Sequence, residues 1–256
     1  NEDTYSRYAD SNQVLKLVEQ GISQNIFIPE LHGREHVQVN WWMNELQNQD
    51  SFARKVFENE FFFLGPQYLK NPKRGRGIGA AFDTWTSDDV VSHKKIATSA
   101  AAIFQKQYGY TSTHFTPPAM FYNPDLESTL VENGTEWLDV GRFFKVPMPD
   151  GKEKHQYNYL GRKKKSGLKV LVRHCVFETN MTASNNGVAS CLQGIQEAFD
   201  AKQPALISNH RASFVGGIKK ENRDSGLKAL NDLLTSILQK WPDAEFVAVK
   251  NVSSVL

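Results

Sequence analysis

A chain of 256 residues with 40% hydrophobic and 11% aromatic content is long enough to bury one large core, and its composition is that of a globular protein. Thirty Lys and Arg against 28 Asp and Glu leave a net charge of +2, too balanced to suggest a nucleic-acid or membrane-surface partner. No apolar run approaches the roughly 20 residues of a membrane span, and the polar start NEDTYSRYADSN lacks a signal peptide's features, so a cytoplasmic protein is expected.

In chain order, NIFIPEL (25–31) reads as a short apolar strand and REHVQVNWWMNELQ (34–47) as a helix that starts between two histidines. GAAFDTW (79–85) is a small apolar stretch ending at Asp83. SDDVVSHKKIATSAAAIFQKQYG (87–109) has Ser87 as expected N-cap, Asp88 and Asp89 in its first turn, and Gly109 as its stop. Its apolar stripe runs through Val90, Ala97, Ala101, Phe104 and Tyr108.

STHFTPP (112–118) reads as a strand entering a proline turn, and NPDLESTLVENG (123–134) as a helix closed by Gly134. HQYNYLGRKKKSGLKVLVRH (155–174) has two alternating arms around a charged turn, so a β-hairpin inserted near 155–174 is expected, with GRKKKSG as a solvated tip. VASCLQGIQEAFDAK (188–202) and SGLKALNDLLTSILQKWP (225–242) have helical spacing, while PALISNHR (204–211) and EFVAVKN (245–251) read as strands. This alternation predicts one α/β domain over 1–256 with a mainly parallel sheet, either a barrel or doubly wound, whose active site gathers at the carboxyl ends of strands. Cys175 and Cys191 make no disulfide framework and are expected as buried thiols.

That rule singles out His32, which follows the apolar run 25–31, and His210, which follows PALIS. His36 lies four residues after His32 and can face the same way if a helix has begun. Neutral imidazole binds zinc through one nitrogen, so HGREH is a candidate metal box with His32 and His36 as ligands. The same letters fit H-x-x-E-H, the inverted zinc-protease signature, but that motif needs both histidines inside a helix, against which Pro29 and Gly33 argue.

In their order and spacing, LHGREH, FTPPAMFYNPDLESTLVENG and ALISNHR resemble the polysaccharide deacetylases with a NodB-homology domain, carbohydrate esterase family 4, over about residues 25–250. The resemblance implies a distorted (β/α) barrel of seven strands and removal of acetyl groups from N- or O-acetylated saccharides. It implies a divalent metal, usually zinc, on His32 and His36, with His210 as general acid. The family's R-x-P-Y box falls on Thr116-Pro117-Pro118-Ala119, making Pro118 and Ala119 substrate-binding candidates and the Ala119 N–H an oxyanion donor.

The chain departs from the family in three respects. The strand bearing paired aspartates, a third ligand and a base, should precede the first helix, so the resemblance implies a first strand lying before Asn1. Thr116 stands where the family has the arginine that orients the base, and the fourth box is not found. Asp83 is the best substitute carboxylate, with Asp3 and Asp10 nearer the missing strand; Glu35 is expected in the first turn of a helix. Arg34 and Arg211 flank the site histidines and are candidates to bind a substrate carboxylate or phosphate. Trp41, Trp42, Trp85 and Tyr122 offer rings for a sugar, with core packing expected for at least two. The main alternative is a non-catalytic glycan-binding or assembly protein of the same fold.

Overall fold

A computed structural model of the chain describes residues 11–62, 64–68, 76–179 and 187–256. The helices are α1 (Ser11–Ser23), α2 (Val39–Gln47), α3 (Phe52–Glu58), α4 (Ser87–Tyr108), α5 (Glu127–Glu132), α6 (Gly187–Asp200) and α7 (Lys220–Lys240). The strands are β1 (His114–Phe115), β2 (Trp137–Asp139), β3 (Phe143–Pro147), β4 (Glu153–Tyr157), β5 (Lys169–Leu171), β6 (Cys175–Val176) and β7 (Ile207–Ser208). Asp3 and Asp10 lie outside the described residues.

The fold is mixed α/β with parallel strands in small sheets. β1, β2 and β5 form one parallel sheet in that order, and Leu31 adds a parallel bridge to Phe115. β6 and β7 pair in parallel separately. Among the described residues these pairings do not close a barrel. The strands are short and apolar because both faces are covered. Phe115, Leu138 and Val170 are fully buried, and Ile96, Ala97, Ala100 and Phe104 of α4 pack into the same cluster. A second cluster joins Cys175, Phe177, Cys191 and Ile195 to Leu233 and Ile237 of α7. Both cysteines are free and buried, and burial pushes the Cys175 thiol up to about 12 and Cys191 to about 11. Among the described residues no helix is long and apolar enough to cross a membrane.

Several sequence expectations need correction. The hairpin is β3–β4, spanning 143–157, rather than 155–174. Leu168, Val170, Leu171 and Val172 form a nearly continuous buried run, the mark of an interior parallel strand, so β5 pairs with β2. Of the expected 155–174 hairpin, a tight turn remains, with a Lys163–Lys169 antiparallel bridge and backbone hydrogen bonds from Gly161 to Val170, Val170 to Arg162 and Lys164 to Leu168. GRKKKSG is not wholly solvated, since the Lys164 ammonium is buried against Glu127 at 2.8 Å and the Tyr122 hydroxyl at 2.7 Å. EFVAVKN forms no strand; Phe246 and Val247 stay exposed and the chain turns into a 3-10 helix at Val249–Ser254. α4 is capped by Thr86 rather than Ser87, in a capping box with Asp89, and Gly109 ends it at φ 76° as expected.

Buried histidines give the fold a pH dependence. Burial lowers His93 and His114 from 6.5 to about 4. The unfolded chain takes up protons on these rings below pH 6.5, but the folded chain does so only near 4, so their contribution is complete above 6.5 and disappears through that window. For His93 this amounts to about 3 kcal/mol at most. Burial raises Glu30 and Asp139, which act in the opposite sense. The expected result in urea unfolding is therefore a smaller loss between pH 7 and 4.5 for His93→Gln than for wild type; equal losses would contradict it.

Candidate active site

His32 and His36 sit on the loop ahead of α2, not in it. Gly33 has φ +109°, and a Cβ there would lie 3.3 Å from the Phe82 ring, so a helix cannot run through this position. Gln38 caps α2 instead: its side chain accepts from Trp41 N–H and donates to the Asp83 carbonyl and to Asp89. This corrects the expected start between the histidines. It removes the helix that an inverted zinc-protease motif requires. Glu35, not helical after all, forms a fork with Arg34, whose Nη1 reaches toward Ser99 of α4 at 3.4 Å. These contacts hold Arg34 on the α4 side of the loop.

The Leu31–Phe115 bridge and the Thr116 N–H to Leu31 carbonyl bond (3.1 Å) bring this loop against the turn after β1. His32 Nδ1–H donates to the Thr116 carbonyl at 2.8 Å, which leaves Nε2 as the nitrogen with a free lone pair. The His32 and His36 ring centroids are 5.3 Å apart, and both residues are exposed. Partial desolvation by the loop and the turn packed around it lowers the His32 pKa, with the His36 and Arg173 charges adding to it against the Thr116 hydrogen bond. Pro118 packs within 3.6 Å of a Cβ built on Gly33. Ala119 and Met120 both have positive φ, 54° and 61°, a strained pairing for non-glycine residues, and among the described residues the backbone N–H of the exposed Ala119 has no hydrogen-bond acceptor.

Sequence reasoning missed Asp139 and Arg173. Asp139 ends β2, pairs with Arg173 Nε at 2.8 Å and accepts from the Thr116 hydroxyl at 3.3 Å. Its Oδ1 is buried without a hydrogen-bond partner, and burial raises its pKa against the Arg173 charge. Asp83, the substitute carboxylate favoured by sequence, is occupied elsewhere: Arg76 grips it at 2.9 and 3.2 Å. Of the four candidate sugar-stacking rings, Trp42 and Tyr122 are in the core, while Trp41 and Trp85 meet edge to face, half-buried.

A second cluster lies at the carboxyl ends of β6 and β7. His210 Nδ1–H donates to Glu178 Oε1 at 2.6 Å, and Ser213 donates to Glu178 Oε2 at 3.2 Å. Glu178 is buried and the His210 side chain is 66% exposed, so Nε2 faces solvent. Ser213 is fixed by α7, because Gly226 packs so closely that a Cβ would sit 1.8 Å from the Ser213 carbonyl. Arg211 is exposed on the 3-10 turn Arg211–Phe214. Among the described residues no hydrogen bond or ring contact joins His210 to the His32–His36 pair.

The paired imidazoles fit a metal in part. A carbonyl on Nδ1 with Nε2 free is the usual outer support of a ligating histidine. No group of three or more His, Cys, Asp or Glu side chains able to hold a metal occurs among the described residues. No protein-family model, curated protein or solved structure matches the chain.

Proposed function

We infer that the chain is a metal-assisted deacetylase-like hydrolase of N- or O-acetylated saccharides, with its parallel strands in a barrel-like arrangement. The observation that carries this reading is that His32, beside His36, bonds to Thr116 while the neighbouring Gly33 packs on Pro118, at the carboxyl end of β1. It agrees with the order of the deacetylase-like motifs. Zinc held by His32 and His36 would polarise an acetyl carbonyl and activate a water.

The chain's own groups supply the rest of the chemistry. The free Ala119 N–H receives the charge that develops on the carbonyl oxygen. Arg173, tied to Asp139, keeps a fixed positive charge beside His32. His210 carries the proton on its outward Nε2 for the leaving nitrogen or oxygen, and Glu178 holds the ring in that orientation.

The absence of a third ligand among the described residues, together with Thr116 in the arginine's place, favours a second reading: a glycan-binding relative without catalysis. Zinc content separates the two. Protein purified without chelators is expected to hold about one zinc per chain, lost in His32→Ala/His36→Ala with unchanged circular dichroism, and to release acetate from acetylated chito-oligosaccharides. Zinc-free wild-type protein that releases no acetate would favour the binding reading.

A further inference from the structure

The β3–β4 hairpin leaves the carboxyl end of β2, and its base lies four residues beyond Asp139, at most about 14 Å of chain. Its inner face is core: Phe144 and Val146 are buried, and Phe144 stacks on Tyr122 at 5.1 Å. The outer face carries two cross-strand pairs, Phe143 with Tyr157 and Lys145 with His155. Phe143 and Tyr157 meet edge to face at 5.4 Å, yet Phe143 is 82% exposed and Tyr157 53%. A cross-strand aromatic pair helps hold a hairpin, but one this exposed buries little surface.

The platform is held rigidly at its base. Asn158, fully buried, donates from its backbone to the Arg142 carbonyl at 2.7 Å and from its side chain to the Gly141 carbonyl at 3.1 Å. Arg162 also donates to the Tyr157 carbonyl.

The charge around it is one-sided. Residues 141–169 hold nine Lys and Arg against two Asp and Glu, so the rest of the chain has 21 against 26, and the protein's whole positive excess lies in this segment. Arg142, Lys145, Lys154, His155, Lys163 and Lys165 are exposed. The two acids are already engaged, Glu153 by Arg76 at 2.6 Å and Asp150 by Lys152 at 3.7 Å.

We propose that this face is a subsite for an anionic saccharide chain: Phe143 and Tyr157 stack against sugar rings while Lys145, on the same face, pairs with a uronate carboxylate. Aromatic faces suit the C–H side of a sugar ring, and exposed cations beside them select for an acidic polymer. The proposal rests on the saccharide reading above and narrows it to acidic glycans, held beside the catalytic rim rather than in it.

The test is calorimetric titration of the full chain with hexagalacturonate, and with cellohexaose as the neutral control. Wild type should bind the uronate and bind cellohexaose more weakly. Phe143→Ala/Tyr157→Ala, which leaves net charge unchanged, should weaken uronate binding about tenfold or more. Lys145→Gln should weaken it and flatten its salt dependence.

No uronate binding, equal binding of both sugars, or unchanged binding by the folded aromatic variant would overturn the subsite. So would a wild-type dimer in sedimentation that Phe143→Ala/Tyr157→Ala dissociates, since the face would then contact a second copy. Retained uronate binding in a protein without zinc or acetate release would retire the catalytic reading and leave the subsite standing.

Discussion

Replacing Glu178 with Gln is expected to lower the turnover number for acetate release about 10²–10³-fold with little change in KM. The carboxylate touches no substrate in this reading. It holds the His210 ring through a 2.6 Å bond and is itself held by Ser213. A glutamine fills the same space but brings no negative charge to face the protonated ring that an acid at Nε2 requires. His210→Gly should lose at least as much activity and regain part of it when imidazole is added to the buffer, because the ring's site is open to solvent. Equal turnover in wild type and Glu178→Gln, or no rescue by imidazole, would remove His210 from the role of acid. Loss of thermal stability without a turnover effect would leave Glu178 a purely structural residue.

The largest expected stability effect comes from Lys164→Met, at about 3–5 kcal/mol in urea unfolding. Lys164 and Glu127 are only 7% and 9% exposed at their side chains, and their 2.8 Å contact is completed by Tyr122 and Ser166. Removing the ammonium leaves a carboxylate in the core with two neutral donors. Lys164→Met/Glu127→Gln should recover much of the loss, since the uncompensated charge is then gone. A single variant as stable as wild type would mean that water reaches Glu127.

The parts of the fold legible in the sequence are those with enough length to show a period. α4, α6 and α7 could be read from spacing, because nearly four turns or more repeat the same apolar face. Strands of two or three residues carry no such signal, which is why NIFIPEL shrank to the Leu31 bridge and Asp139 went unnoticed at the end of β2. The strand-end rule that picked out His32 and His210 would have found Asp139 and Glu178 as well, had WLD and CVFE been recognised as strands. Lys164 was hidden for a different reason. Within a run of four basic residues nothing local marks the one that turns inward, and only Glu127, 37 residues earlier in the chain, selects it. EFVAVKN had strand-like composition but pairs with no strand among the described residues, and β-propensity counts for little without a partner.

The backbone from Leu168 to Glu178 serves two sheets in turn, bonding to β2 through β5 and then to β7 through β6. It carries Arg173 on the way and Glu178 at its end. These two residues belong to the two separate halves of the proposed site, yet five residues of near-extended chain set a ceiling of about 18 Å on their separation. That segment works as a ruler. A flexible loop would let the halves drift apart with each fluctuation, whereas here their spacing is written into covalent geometry and pinned by hydrogen bonds on either side. Inserting or deleting one residue between Leu171 and Cys175 would turn every following side chain to the opposite face, so the two halves can be altered one at a time by substitution but not by a change in length.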